Sequence, residues 1–137
     1  MASIHKELTI NAAPDVVWAA LRDFGGVMRL VPGFLTDCRL ESERGVTVRV
    51  VTFWNGRVAR EFLVDSDDAR KRLVYAEPGG SFITRNAAVQ VFGEGEAASR
   101  VTWTIDLLPD EFGAPMSSNM DKAFAAMKQS LEANTWE

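Results

Sequence analysis

Few side chains in this sequence have the chemistry that most catalytic sites use. The chain contains one histidine, His5, and one cysteine, Cys38. Cys/His zinc sites need about four such ligands, and Ser-His-Asp or Cys-His catalysis needs a nucleophile beside a base, so one residue of each type is too few. A disulfide within the chain is excluded as well. Alternation along the predicted strands places His5 on an exposed face. It places Cys38 on one face with Phe34 and Leu40, where it would behave as a small buried hydrophobic residue.

Glu61 and Tyr75 are the remaining candidates for chemistry. Glu61 could orient a ligand or act as a general base, because burial would raise the pKa of its carboxyl group. The alternative is a solvated strand residue, which is favoured by the alternation that places Val58, Phe62 and Val64 on the other face of the strand. Tyr75 is the only tyrosine of the chain. Its hydroxyl could donate to a ligand oxygen, act as an acid in a dehydration, or simply lie at the rim of a sheet.

Other residues could line an apolar cavity. The chain has four Trp, eight Phe and five Met among 137 residues. Met116, Met120, Phe124 and Met127 recur at intervals of three or four residues, which is the spacing of one helix face. Methionine is flexible and suits varied ligands, although such a stripe is more often plain core. Trp103 lies on the apolar face of its strand, where it could form a flat wall for an aromatic ligand or a part of the core.

Alternation and turn residues predict the elements that position these side chains. The predicted strands are 3–11, 34–41, 46–54, 58–65, 72–77, 84–92 and 100–107. Pro14 and Asp15 predict a short helix after the first strand, with a second short helix at 27–31. Helical spacing from Ala114 onward predicts a long C-terminal helix. The pair Asn55-Gly56 predicts a type I′ hairpin, and Arg44-Gly45 predicts a turn.

This order of elements predicts an α+β fold. Consecutive strands joined by short loops form an antiparallel sheet, here of seven strands. One helix cannot cover a flat sheet of that width, so we expect the sheet to curl around the C-terminal helix. Such a curled sheet leaves an apolar hollow between itself and the helix. The length predicts a single domain that spans 1–137.

Composition limits the partners and the location. Fifteen Lys and Arg against nineteen Asp and Glu give a net charge of −4, which argues against a nucleic-acid binder. No apolar run approaches the ~20 residues that span a bilayer, and the N-terminus lacks the apolar segment of a signal peptide. We therefore expect a cytoplasmic protein with a reduced cysteine, without integral membrane association, metal or other cofactor. A homodimer is left open.

The sequence resembles the START-like, helix-grip superfamily, in its branch of polyketide cyclases, dehydrases and lipid transport proteins. The long C-terminal helix is part of the resemblance. The segments that carry it are INAAPDVVW at 10–18, Leu21-Arg22-Asp23-Phe24, Arg60-Glu61, Leu73-Val74-Tyr75 and Arg100-Val101-Thr102-Trp103. The resemblance implies a helix-grip fold with a cavity for a hydrophobic small molecule.

Residues 60–86 also resemble the plant abscisic-acid receptors of this superfamily. That resemblance implies a cavity position for Glu61, against the alternation of its strand. It also implies that two loops, 54–57 and 78–83, flank the cavity entrance. The entrance residues are Trp54, Asn55, Gly56, Arg57, Gly79 and Gly80. The first loop lacks the receptors' gate motif and Ala87 stands where they have a cavity tyrosine, so hormone sensing is not implied.

We expect the protein to bind a lipid, a polyketide or an aromatic metabolite in the cavity. The predicted ligand-binding residues are Glu61, Tyr75, Ala87, Val89, Trp103, Ile105, Met116, Met120, Phe124 and Met127. One alternative is an aromatase/cyclase or dehydratase acting on a polyketide-like substrate, with Glu61 and Tyr75 as catalytic candidates. A second is a surface interaction module of a stress-response or toxin-like kind. A continuous cavity with an inward Glu61 favours the first two hypotheses, and a filled core with an exposed apolar patch favours the third.

Overall fold

A computed structural model describes residues 2–133 and 136, which form an antiparallel sheet and its covering helices. The strands are β1 (Ala2–Ile10), β2 (Leu35–Glu43), β3 (Val46–Phe53), β4 (Val58–Asp67), β5 (Arg72–Ala76), β6 (Thr84–Gly93) and β7 (Ser99–Leu108). The helices are α1 (Pro14–Arg22), α2 (Val27–Leu30) and α3 (Gly113–Glu132). All seven strands belong to one curved sheet in the order β1-β7-β6-β5-β4-β3-β2. The predicted α+β helix-grip architecture is confirmed.

The two short helices follow β1 as predicted. Helix α1 begins at Pro14, whose missing N–H costs nothing in the first turn, and Asp15 lies at its positive end. Its apolar face is buried, and the indole Nε1 of Trp18 donates a hydrogen bond of 2.9 Å to Asp68 in the turn between β4 and β5. A 3-10 turn separates α1 from α2, which contacts α3 and β2. Helix α1 therefore packs against β6, and α2 packs against the edge strand β2.

Helix α3 buries the apolar stripe that the sequence predicts. Its buried residues are Met116, Met120, Ala123, Phe124, Met127 and Leu131. Polar contacts fix the helix along β1. Lys6 Nζ lies 2.9 Å from Asp121 Oδ1, and Lys128 Nζ donates to the Thr9 carbonyl at 2.7 Å. The helix consequently packs against the inner face of the sheet, which supplies most of the core.

The hairpin between β3 and β4 has a different turn from the predicted one. Of the pair Asn55-Gly56, only Gly56 has a positive φ, of 85°. The Phe53 N–H donates to the Arg57 carbonyl at 2.8 Å, and the Gly56 N–H donates to the Phe53 carbonyl at 2.9 Å. The loop thus has three residues with a glycine in the left-handed position, which is the second common hairpin form. The type I′ prediction at 55–56 is wrong because Trp54 also belongs to the loop.

The type I′ geometry occurs instead between β2 and β3. Arg44 and Gly45 form a two-residue loop and both have positive φ, of 53° and 80°. The loop length forces this conformation, since a type I′ turn matches the twist of the two strands. An arginine in the left-handed region is strained.

Strand β2 departs from simple alternation. Its pairing with β3 shifts between Leu35 and Asp37, and Leu35 is buried. Cys38 is half-buried against the core, whereas Leu40, predicted to share its environment, is 55% exposed. The bulge precedes both residues, and their partners Val51 and Arg49 are both buried, so Cys38 and Leu40 share the inner face. Leu40 is exposed because β2 is the edge strand, where the covering layer ends. Burial raises the pKa of the Cys38 thiol, so the thiolate is scarce at neutral pH.

Candidate functional site

A cavity of about 90 Å³ lies between the inner face of the sheet, the short helices and α3. Its walls come from every one of these layers and are largely apolar. The apolar lining includes Leu21, Val27, Leu30, Val31, Leu35, Val51, Phe53, Leu73, Val89, Met116, Met120, Ala123 and Met127. The hollow expected from a curled sheet and a single long helix is therefore present.

The structure brings together part of the predicted site. The predicted residues that line the cavity are Arg57, Glu61, Tyr75, Val89, Trp103, Met116, Met120 and Met127. Ala87, Ile105 and Phe124 lie in the buried core outside the lining, where the Phe124 ring is 5.2 Å from the Trp103 ring. These three residues support the wall without forming its surface.

The predicted entrance residues lie on two exposed loops. Trp54, Asn55 and Gly56 form the tip of the β3–β4 hairpin, outside the cavity lining. The Trp54 ring lies 4.7 Å from Lys122 Nζ, so the hairpin tip reaches α3. Gly79 and Gly80 lie on the exposed β5–β6 loop and both have positive φ, of 86° and 67°.

Glu61 is buried inside the sheet. Its exposed fraction is 4%, whereas its strand neighbours Val58 and Val64 are 56% and 60% exposed. The alternation along β4 is real, but Val58 and Val64 are on the outer face, whereas Ala59 and Glu61 are on the buried one, so the preference for a solvated Glu61 is wrong. Arg49 is the register partner of Glu61 on β3, and its Nε donates to Glu61 Oε1 at 2.8 Å. From β6, Arg85 Nη2 donates to Glu61 Oε2 at 3.0 Å.

The ionic cluster extends from Glu61 toward the loops. Arg85 also pairs through Nη1 with Glu77 Oε1, and Glu77 Oε2 lies 3.6 Å from Arg57 Nη1. Arg49, Glu61, Glu77 and Arg85 are all buried, while the Arg57 side chain is 36% exposed. We call the four buried residues the charge cluster. It contains two positive and two negative groups, so its buried charges balance.

The charge cluster sets the protonation of Glu61. Burial alone pushes the pKa of Glu61 upward, but the positive charges of Arg49 and Arg85 outweigh it and hold the pKa below its usual value. Glu61 is therefore ionised at neutral pH, and both of its oxygens accept hydrogen bonds from arginine. The expectation of a raised pKa, which suits a general base, is wrong for this residue.

Tyr75 has the opposite shift. Burial raises the pKa of its hydroxyl, and the negative charge of Glu61 raises it further. Its ring lies 4.8 Å from the Arg49 guanidinium carbon and 5.9 Å from that of Arg85. The tyrosine is 5% exposed and lines the cavity. It therefore presents a protonated hydroxyl, a hydrogen-bond donor, in the wall.

Two buried N–H groups have no hydrogen-bond partner within the described part of the chain. They are Nε of Arg85 and Nε1 of Trp103, and both residues line the cavity. An unsatisfied buried donor costs roughly 1–3 kcal/mol. Such atoms mark places where an acceptor atom of a bound molecule would be stabilised.

Arg49, Glu77 and Arg85 are not among the site residues that the sequence predicts, although all three are buried. A signal for Arg85 was available, since it is in phase on β6 with the apolar inward residues Ala87, Val89 and Val91. A charged residue in phase with a buried apolar face indicates a buried charge that needs a partner.

Other kinds of site find no support among residues 2–133 and 136. In this part of the chain, no three His, Cys, Asp or Glu side chains are grouped so that they could hold a metal ion. Within the same residues, no helix has both the length and the apolar character needed to cross a bilayer. The cavity and the charge cluster are thus the features from which function can be argued.

Comparison with protein families identifies the relatives of this arrangement. Residues 1–134 match the family described as polyketide cyclase / dehydrase and lipid transport. The chain belongs to this family. No curated protein sequence matches it significantly. The polyketide cyclase family assignment agrees with the fold and with the apolar cavity.

Solved structures of related fold cover nearly the whole chain. XoxI from Bacillus cereus has a TM-score of 0.84 and 20% identity, covering 97% of each chain. The di-domain ARO/CYC BexL from the BE-7585A biosynthetic pathway has a TM-score of 0.82 and 15% identity, covering 96% of this chain and 47% of BexL. A norcoclaurine synthase mutant from Thalictrum flavum, in complex with a transition-state analogue, has a TM-score of 0.67 and 20% identity, covering 97% and 96%. At these identities the similarity shows a shared fold.

Proposed function

We propose that the protein binds a hydrophobic or amphipathic small molecule in the cavity between sheet and α3. The observation that carries the proposal is an apolar cavity into which four adjacent strands each place one buried charged or hydroxyl group. These groups are Arg49 on β3, Glu61 on β4, Tyr75 on β5 and Arg85 on β6. Apolar walls supply affinity and a few convergent polar groups supply orientation, which is the common composition of small-molecule sites.

The cavity must enlarge when a ligand binds. A volume of about 90 Å³ is below the ~300–1,000 Å³ of most ligand pockets. Met116, Met120 and Met127 form one wall, and methionine side chains rearrange easily because they are unbranched. The Arg57–Glu77 ion pair joins the β3–β4 hairpin to the start of the β5–β6 loop. We place the ligand entrance between these two loops.

Binding is favoured over catalysis by the state of Glu61. A general base needs a free oxygen and a pKa near the working pH, whereas Glu61 has both oxygens paired and a lowered pKa. An aromatase/cyclase or dehydratase activity in the same cavity would use Tyr75 as its proton donor, since that hydroxyl stays protonated. The polyketide cyclase family makes this the second candidate function.

The test combines native mass spectrometry of the purified protein with thermal shifts against a panel of lipids, polyketides and aromatic compounds. A ligand that binds the folded state raises the melting temperature. The variant Ala123→Leu fills part of the cavity and should abolish the shift, while Ala125→Leu, on the exposed face of the same helix, should preserve it. Circular dichroism checks that both variants fold. No shift with any compound and no copurified molecule would contradict the proposal.

A further inference from the structure

On the sheet side of the cavity, the buried polar groups have more free hydrogen-bond donors than acceptors. The other polar lining residues, Asp23, Arg57 and Asn119, are not buried. Glu61 and Glu77 use both carboxylate oxygens in contacts with arginines. The N–H groups at Arg85 Nε and Trp103 Nε1 have no partner among the described residues. Tyr75 adds a hydroxyl that remains protonated. Such a wall is completed by a group that accepts hydrogen bonds and donates none.

The indole of Trp103 and the hydroxyl of Tyr75 are neighbours in this wall. The indole N–H of Trp103 is near enough to the Tyr75 hydroxyl to lower its pKa, yet Nε1 has no partner at full hydrogen-bond geometry among the described residues. Trp103 is 9% exposed and Tyr75 is 5% exposed, so bulk water does not satisfy either group. Both residues line the cavity, and an acceptor atom that enters it can meet both donors.

The charge balance indicates what kind of acceptor fits. The charge cluster already contains two arginines and two glutamates. An anionic ligand group would be buried without a free counter-ion, which is costly, whereas a neutral acceptor satisfies the donors and leaves the charges balanced. Burial and the charge of Glu61 already disfavour an ionised Tyr75, and a ligand anion at the same place meets the same two penalties.

We propose that Trp103 and Tyr75 form a two-donor site for a neutral carbonyl oxygen, so that the cavity selects ketone- or quinone-type ligands over carboxylates and hydrocarbons. This inference rests on the proposed function and names the chemical class of its ligand. Arg85 Nε is the third donor of the same wall. It could donate a hydrogen bond to the second lone pair of the carbonyl oxygen or to a second carbonyl group of a larger ligand.

Three probes of nearly equal shape test the inference. Acetophenone carries a neutral carbonyl, ethylbenzene carries no acceptor, and benzoate carries a charged one. Isothermal titration calorimetry should show acetophenone binding about tenfold more tightly than ethylbenzene, the gain expected when two buried donors are satisfied, and at least as much more tightly than benzoate. Infrared spectroscopy of carbonyl-labelled acetophenone should show the C=O stretch shifted to lower frequency by hydrogen bonding.

Variants assign the effect to the two residues. Trp103→Phe and Tyr75→Phe each remove one donor and keep an aromatic wall, so each should reduce the acetophenone preference about threefold and reverse part of the infrared shift. Trp136→Phe changes an indole outside the cavity lining, whose Nε1 donates to the Ser130 carbonyl, and should change neither reading.

The outcomes separate the inference from the function on which it rests. Equal affinity for acetophenone and ethylbenzene, or tightest binding of benzoate, would overturn the carbonyl site while leaving cavity binding intact. An undiminished tenfold preference in both phenylalanine variants would overturn it too. If the wild-type protein binds none of the probes and no compound of the thermal-shift panel, the proposed function fails and the carbonyl site fails with it.

Discussion

At the scale of single residues, the partners of Glu61 decide what this carboxylate can do. A buried carboxyl group alone would be a candidate base, but Arg49 and Arg85 convert it into a fixed negative charge. Its role is to hold two arginines in the cavity wall. The residue that keeps a proton there is Tyr75.

Removal of the Glu61 charge should destabilise the fold. Glu61→Gln leaves two buried guanidinium groups with a weaker partner, and breaking a buried ion pair costs about 3–5 kcal/mol. Urea unfolding measures the change. Glu96→Gln, in the exposed β6–β7 turn, is the matched control and should stay within about 0.5 kcal/mol of the wild type. A fully stable Glu61→Gln protein would show that the cluster contributes little to stability.

The same carboxylate predicts a pH dependence of stability. The pKa of Glu61 is lower in the folded protein than its ordinary value of 4.5, so the folded state binds the proton less readily than the unfolded state. Its contribution to stability is therefore fully present above about pH 4.5 and decreases as the pH falls below that value. Urea titrations between about pH 6 and 3 should show a steeper loss in the wild type than in Glu61→Gln. Parallel curves of unfolding free energy against pH for the two proteins would contradict a lowered pKa of Glu61 in the folded state.

At the scale of elements, the turns determine how well local sequence predicts structure. The β2–β3 hairpin has its type I′ turn at Arg44-Gly45, although Asn55-Gly56 carries the stronger sequence signal. The number of residues between two paired strands selects the turn, and that number depends on the register across the sheet.

Relief of the strain at Arg44 should stabilise the hairpin. Arg44 has a φ of 53°, and asparagine tolerates the left-handed region better than arginine does. We expect Arg44→Asn to raise the free energy of unfolding by about 0.5–1 kcal/mol, measured by urea unfolding. Gly45→Ala should lower the free energy of unfolding, because alanine is strained at the φ of 80° that Gly45 has. An unchanged or lower stability of Arg44→Asn would contradict this account.

The strands themselves were largely predictable. Each predicted strand overlaps its observed counterpart, because alternation is a local property of the chain. The charge cluster was not predictable by the same means. The contact of Glu61 with Arg49 depends on the β3–β4 register, and its contact with Arg85 joins residues 24 positions apart. Local alternation also could not tell which face of β4 is inside, since Val58 and Val64 are apolar yet exposed.

At the scale of the whole molecule, the proposed entrance lies between two loops that are joined by one ion pair. Arg57 is the least buried member of the ionic contacts around the cavity, and it joins the β3–β4 hairpin to Glu77 before the β5–β6 loop. An ion pair with one exposed partner contributes roughly 0.2–1 kcal/mol. If the ligand enters between these loops, as we propose, the pair must break, and its small contribution permits that.

Loss of this ion pair should therefore change ligand kinetics more than affinity. Arg57→Gln is expected to raise both the association and dissociation rates of a cavity ligand about two- to fivefold, with a nearly constant dissociation constant. Stopped-flow fluorescence with a ligand from the thermal-shift panel measures these rates. Arg70→Gln, on the exposed β4–β5 turn, should leave them unchanged. Equal rates in Arg57→Gln and the wild type would place the entrance elsewhere.

The charge cluster also constrains how the sheet can assemble. It takes one charged residue from each of β3, β4 and β6, together with Glu77 just after β5. A strand that slips by one residue turns its side chains to the opposite face. Any such slip in β3, β4 or β6 would carry one charge to the solvent and leave its partner buried alone, at a cost of several kcal/mol. The charge cluster therefore disfavours every non-native register of these strands, because only the native pairing neutralises all four charged side chains at once.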